Sequence, residues 1–140
     1  MKEIPITIKP NNRNVIFTAY DTKDIDPISA YISCDLIKKI DNDFPCGKRK
    51  RYIVLNEILN KALNVIENDP TVIREDIRKA NQLGFMGRCK SQFTKLKFFL
   101  HKDTTDNYKK IFGDKYVSIY LNKLLSIGYE EFTRNRSNEL

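Results

Sequence analysis

Two groups of side chains in this 140-residue chain are of types that meet anions. The first is the run Lys48-Arg49-Lys50-Arg51. The second is Lys95, Lys97 and Phe99, which alternate with Leu96, Phe98 and Leu100. Side chains of a strand alternate between its faces, so one of the two sets must be buried. Burying Leu96, Phe98 and Leu100 is acceptable, whereas the other parity would bury two unpaired lysines. Lys95, Lys97 and Phe99 therefore share an outer face, and an exposed phenylalanine beside lysines has little structural purpose unless something covers it. Other chemistry lacks its residues. His101 is the single histidine and Cys34, Cys46 and Cys89 are widely spaced, so no zinc pattern exists and no metal is expected. The three thiols read as buried or idle in a reducing compartment. There is no carboxylate cluster at metal-binding spacing and no glycine-rich phosphate loop, so neither an enzyme nor a cofactor is expected. Asp41-Asn42-Asp43 reads as the polar end of a helix.

The whole-chain balance points the same way as the cationic groups. Net charge is +7, and its distribution is uneven. Residues 1–26 hold four basic and four acidic groups, while 27–140 hold 21 against 14 and so carry the whole excess. Such a balance favours polyanionic partners. No apolar run is long enough to span a bilayer, the start MKEIPITIKPNN has no apolar signal core, and no lipidation motif ends the sequence. A cytoplasmic protein without a membrane partner is expected.

The elements that must position these groups follow from periodicity. Glu3–Tyr20 alternates, with turn formers Pro10-Asn11-Asn12-Arg13-Asn14 at its middle, which predicts a β-hairpin. Asp21–Pro27 reads as a polar linker. Ile28, Ala30 and Ile32 form the inner parity of a second strand, leaving Ser29, Tyr31 and Ser33 outside. Leu36, Ile37, Ile40 and Phe44 then fall at helical spacing, and Pro45-Cys46-Gly47 ends that helix. After the basic run, Val54, Leu55, Ile58, Leu59, Ala62, Leu63 and Ile66 trace one face of a longer helix. Asp69-Pro70 opens a connecting helix expected over Thr71–Gln82, followed by a basic loop with Arg88 and Lys90. The strand at Lys95–Leu100 leads into a short helix through Thr104, Tyr108, Ile111 and Phe112, stopped at Gly113. Asp114 then caps a last helix carrying Val117, Tyr120, Leu121, Leu124, Leu125 and Ile127.

The two halves match beyond the order of elements. Counted from Ile32 and Leu100, the fourth, eighth and twelfth residues are Leu36, Ile40, Phe44 and Thr104, Tyr108, Phe112. In the second helices Asn60-Lys61-Ala62-Leu63 parallels Asn122-Lys123-Leu124-Leu125, with a break of register at the intervening turn. Neither half could stand alone, because a lone strand edge and open helix faces need partners. Pairing the two strands as an antiparallel ribbon above four helices satisfies both. ISAYISCDLIKKIDNDFPCGKRKRYIVLNEILNKAL and KLKFFLHKDTTDNYKKIFGDKYVSIYLNKLLSIGYEEF both resemble the ribbon–helix–helix fold of the Arc and MetJ repressors, and two such units in one chain is similar to the TraY-type relaxosome proteins of conjugative plasmids. The family often places a small polar residue where the second helix begins, and this chain has Arg51-Tyr52 there. The expectation is a mostly α fold with a small antiparallel β-ribbon, a tandem ribbon–helix–helix pseudo-dimer. Residues 1–26 form an N-terminal hairpin and extension, 27–68 and 92–132 the two units, 69–91 the connection and 133–140 a polar tail.

The resemblance implies a β-ribbon inserted in the major groove of double-stranded DNA. Ser29, Tyr31, Lys95, Lys97 and Phe99 would then face base edges, where lysine can donate to guanine O6 and N7 and an aromatic ring can meet a thymine methyl. Lys48, Arg49, Lys50 and Arg51 lie before a helix N-terminus, which attracts phosphate through its free N–H groups, so they would clamp the backbone. A plain solvated charge run and a solvated strand face are the alternatives. The two strands differ, so a non-palindromic core sequence is expected. The role implied is a transcriptional regulator of plasmid or phage type or a conjugation accessory factor, with room for self-association on DNA. The rival is a protein-interaction module that uses the hairpin to bind a protein partner and leaves DNA alone.

Overall fold

The computed structural model describes residues 2–71, 92–114 and 118–134. Alternating apolar side chains produce two separate antiparallel strand pairs. β1 (Lys2–Ile8) and β2 (Arg13–Ala19) form the N-terminal hairpin, with Ile8 opposite Arg13. Pro10 helps to set its turn, and Asn12 closes it in the left-handed region at φ 50°, which asparagine tolerates better than most residues. β3 (Ile25–Ser33) pairs with β4 (Phe93–His101), Ser29 standing opposite Lys97 at the centre. Each strand of this second pair runs directly into a helix. α1 (Cys34–Asp43) and α2 (Arg51–Asn68) follow β3, while α3 (Lys102–Phe112) and α4 (Ser118–Thr133) follow β4. The described fold is thus mostly α, with two small antiparallel ribbons.

The inner faces of both ribbons and of all four helices meet in one core. Ile28, Ala30, Ile32, Phe98 and Leu100 are buried from the ribbon, as are Ile40, Leu59, Tyr108 and Leu124 from the helices. α2 and α4 approach so closely that a Cβ at Gly128 would lie 2.0 Å from the carbonyl oxygen of Ile58. Only glycine fits there. The hairpin covers one end of this core. Phe17 is buried, its ring 5.5 Å from that of Phe132 and 6.3 Å from that of Phe44. Its turn is held by Asn11, whose Nδ2 donates to the carbonyl of Phe132 at 2.7 Å. Further along, burial pushes the Glu57 carboxyl on α2 above its usual range, while a bond to the backbone of Thr18 in β2 partly offsets that shift. Tyr20 then stacks on His101 with ring centroids 3.7 Å apart.

The two halves repeat in detail, with one change of register. Ser33 and His101, which are 68 residues apart, both cap the helix that follows: Ser33 Oγ accepts from Leu36 N–H, and His101 Nδ1 accepts from Asp103 N–H. Ile40 and Tyr108 are equally buried, at 1% exposure each, with the same 68-residue offset. Beyond them Gly47 (φ 82°) and Gly113 (φ 91°) take up matching positions only 66 residues apart. The first half therefore holds Pro45 and Cys46 as an insertion before its glycine. Register after the turn is 66, which places Asn56 opposite Asn122 and Ala62 opposite Gly128.

Several expectations need correction. The parallel drawn between Asn60–Leu63 and Asn122–Leu125 is out by one helical turn, because a shift of four residues keeps the same helix face and leaves the apolar pattern almost unchanged. The expected linker through Pro27 is too long, since β3 already begins at Ile25 and includes Pro27. β4 likewise extends beyond Lys95–Leu100 at both ends. Ile111, assigned to an apolar helix face, is 39% exposed. The connecting helix, Arg88, Lys90, Val117 and most of the polar tail fall outside the described residues. Of that connection only its start is seen, where Asp69 Oδ1 accepts from the Thr71 N–H at 3.3 Å and its hydroxyl at 2.6 Å.

Candidate nucleic-acid interface

The face of the β3–β4 ribbon that turns away from the helices is made by three directly opposed pairs. Ser29 stands opposite Lys97, Tyr31 opposite Lys95, and Pro27 opposite Phe99. All six side chains are exposed, Tyr31 at 48% and Phe99 at 38%. Five of them are the residues selected from the sequence, and the ribbon brings them onto one surface. Tyr31 and Phe99 occupy equivalent positions, 68 residues apart, as do Ser29 and Lys97. The cations do not repeat. Both lysines of this face belong to β4, and the equivalent of Lys95 on β3 is Pro27.

Two buried asparagines hold this surface in place. Asn56 is 1% exposed; its Nδ2 donates to the carbonyls of Tyr52 (2.8 Å) and Phe99 (2.5 Å), and its Oδ1 accepts from His101 N–H (2.8 Å). Asn122 is 7% exposed and repeats the arrangement, donating to Ser118 (2.8 Å) and Tyr31 (2.7 Å) and accepting from Ser33 N–H (2.8 Å). Each amide ties the second helix of one half to the strand of the other. In an antiparallel pair the backbone groups of alternate residues point outwards, away from the partner strand. Those outward groups would otherwise make an open strand edge. The two asparagines satisfy such groups at Phe99 and His101 on β4 and at Tyr31 and Ser33 on β3, from the helix side, without covering the outer face. The same geometry explains Pro27, whose missing N–H would point outwards and so costs no rung of the ladder.

Sequence reasoning missed both asparagines, although each stands nine residues after the glycine of its half. Aligning on Gly47 and Gly113 would have found them. It also missed what stands beside each amide. Ser118 Oγ accepts from Tyr31 N–H at 3.0 Å. The equivalent residue in the first half is Tyr52, whose ring meets that of Phe99 edge to face at 6.0 Å. One helix thus begins against the Phe99 end of the ribbon and the other against the Tyr31 end.

The basic run is divided by the structure. Lys48, Arg49 and Lys50 form a single exposed turn of 3-10 helix before α2. Arg51 is the first residue of α2, and Asp41 of α1 holds its guanidinium through both Nε (2.8 Å) and Nη2 (2.5 Å). Arg51 is therefore a brace between two helices, and three cations are left facing outwards. They stand at the helix start that abuts Phe99. The other helix, α4, has no comparable run before it. Among the described residues no three His, Cys, Asp or Glu side chains are grouped to hold a metal ion, and no helix is long and apolar enough to cross a membrane. No family model, curated protein or solved structure matches the chain.

Proposed function

We propose that this chain binds double-stranded DNA as a tandem ribbon–helix–helix protein, laying the outer face of β3 and β4 in the major groove. The observation that carries the reading is the composition of that face. Lys95, Lys97, Ser29 and Tyr31 are held outwards on a ribbon that Asn56 and Asn122 tie to the helices beneath it, so their side chains are offered to a partner. A two-stranded ribbon fits the major groove, and lysines there have guanine O6 and N7 as acceptors. Lys48, Arg49 and Lys50 supply backbone contacts beside it. The biological role is regulation of transcription, or service as an accessory factor in conjugation.

Titration of labelled duplex by fluorescence anisotropy over a range of salt concentrations tests the reading. Replacing Lys48, Arg49 and Lys50 by alanine weakens all duplexes alike and flattens the salt dependence by roughly one unit of slope per lost contact. Lys97→Ala relaxes preference at one base position, at a cost of about 1–3 kcal/mol. Equal weakening of selected and random duplexes by Lys97→Ala would overturn the ribbon assignment. A second reading, a protein-interaction module, draws on Ile16, which is 65% exposed on the outer face of the hairpin. It predicts no duplex binding even at low salt.

A further inference from the structure

The ribbon presents two different ends, and the difference is chemical. At one end Tyr31 stands opposite Lys95, next to the central pair of Ser29 and Lys97. At the other end Phe99 stands opposite Pro27, with no cation on either strand. Phe99 is also held in place. Its carbonyl is held by Asn56, and its ring is flanked by the edge-on ring of Tyr52. What is offered there is an apolar step, formed by one phenyl ring and one pyrrolidine.

We infer that the Phe99–Pro27 end of the ribbon reads the 5-methyl group of thymine, while Lys97 and Lys95 read guanine at the centre and the opposite end. The inference rests on the DNA-binding reading and sharpens it to a direction along the site. In the major groove thymine is the base that presents a methyl group, and an apolar side chain without hydrogen-bonding capacity distinguishes it by contact alone. The same end lies beside the start of α2, where Lys48, Arg49 and Lys50 stand. The apolar end is thus the strongly clamped one, and the cationic end lies beside the weakly clamped start of α4. Orientation on an asymmetric site follows from both differences together, because a protein turned end for end would place lysines over the methyl groups.

The test uses the full chain and a duplex recovered from a random library. Thymines of the recovered site are replaced one at a time by deoxyuridine, which removes only the methyl group. Wild type is expected to lose about three- to fivefold in affinity at one or two thymines on the flank away from the guanines, the size of one buried methyl. Phe99→Ala should bind the methylated and demethylated duplexes equally and keep its preference for guanine. Lys97→Ala should do the reverse, losing guanine preference and keeping the sensitivity to uridine. Phe99→Leu, which keeps an apolar side chain, should retain part of the methyl discrimination. The inference is overturned if Phe99→Ala remains as sensitive to uridine as wild type, or if the recovered site is a perfect inverted repeat. Sequence-selective binding without any methyl sensitivity removes this inference alone. Absence of all duplex binding removes the DNA-binding reading as well.

Discussion

The two strand–helix–helix halves agree in the contacts that close the ribbon's edges and differ in most of the side chains around them. Asn56 and Asn122 make the same three hydrogen bonds, to equivalent backbone groups, across the same boundary between halves. Ser33 and His101 cap equivalent helices with unrelated side chains. Outside the ribbon's edges likeness gives way quickly. The hairpin packs along α2, where Thr18 meets Glu57, and no matching element among the described residues lies along α4. Tyr129 donates its hydroxyl proton to Asp43, and its counterpart in the first half is Leu63. The physical constraint lies in the backbone, not in the exposed side chains. Backbone groups at a strand edge must be satisfied wherever they are buried, so that part repeats, whereas the side chains of an outer face carry no such obligation and are free to diverge.

The two halves differ most in what they tolerate at the helix crossing. Gly128→Leu forces α2 and α4 apart and should cost about 3 kcal/mol or more in urea unfolding, whereas Ala62→Gly at the matching position should cost only about 1 kcal/mol. Equal losses at the two positions would show that the crossing is not as lopsided as Gly128 indicates. Next in size are the asparagines. Asn56→Ala leaves the Phe99 carbonyl and the His101 N–H without partners and should cost about 2–3 kcal/mol. Asn122→Ala, at a slightly more exposed site, should cost about 1–2 kcal/mol. Amide exchange should quicken at His101 in the first variant and at Ser33 in the second, and a crossed result would disprove the pairing. The smallest effect is at Tyr129. Its hydroxyl is pushed up to about 12, first by burial and then by its bond to Asp43, so the protonated form is the one that folding favours. That stabilisation is complete below the ordinary tyrosine value near pH 10 and is lost as pH rises towards 12. The gap in stability between wild type and Tyr129→Phe, about 1 kcal/mol at neutral pH, should close across that window.

Strand parity was readable because burial permits only one answer. Burying Leu96, Phe98 and Leu100 hides no charge, and burying Lys95 and Lys97 would hide two, so the outer face of β4 followed from the sequence. Strand length was not readable. Asp26 and Pro27 are turn formers in isolation, and only the outward direction of the Pro27 backbone groups, a property of the pairing, lets β3 run through them. The helix register is hidden for a different reason. Asn-Lys pairs at Asn60 and Asn122 suggest one alignment and Gly47 and Gly113 another, and the helical period conceals the four-residue difference between them. Of the basic run, nothing in the sequence distinguished Arg51 from its neighbours. The bond to Asp41 depends on how α1 turns into α2 through the Pro45-Cys46 insertion.

Pairing β3 with β4 inside a single polypeptide has a consequence for how the ribbon persists and changes. Two strands from separate molecules come apart on dilution, since their association is a matter of mass action. Here dilution has no such hold: the pairing is first order, and the melting temperature should not vary with protein concentration. A covalent pair also mutates one strand at a time. In a symmetric assembly every substitution arrives twice, once in each copy. In this chain a lysine could be gained opposite a serine, or a proline kept opposite a phenylalanine, without its image appearing on the other side.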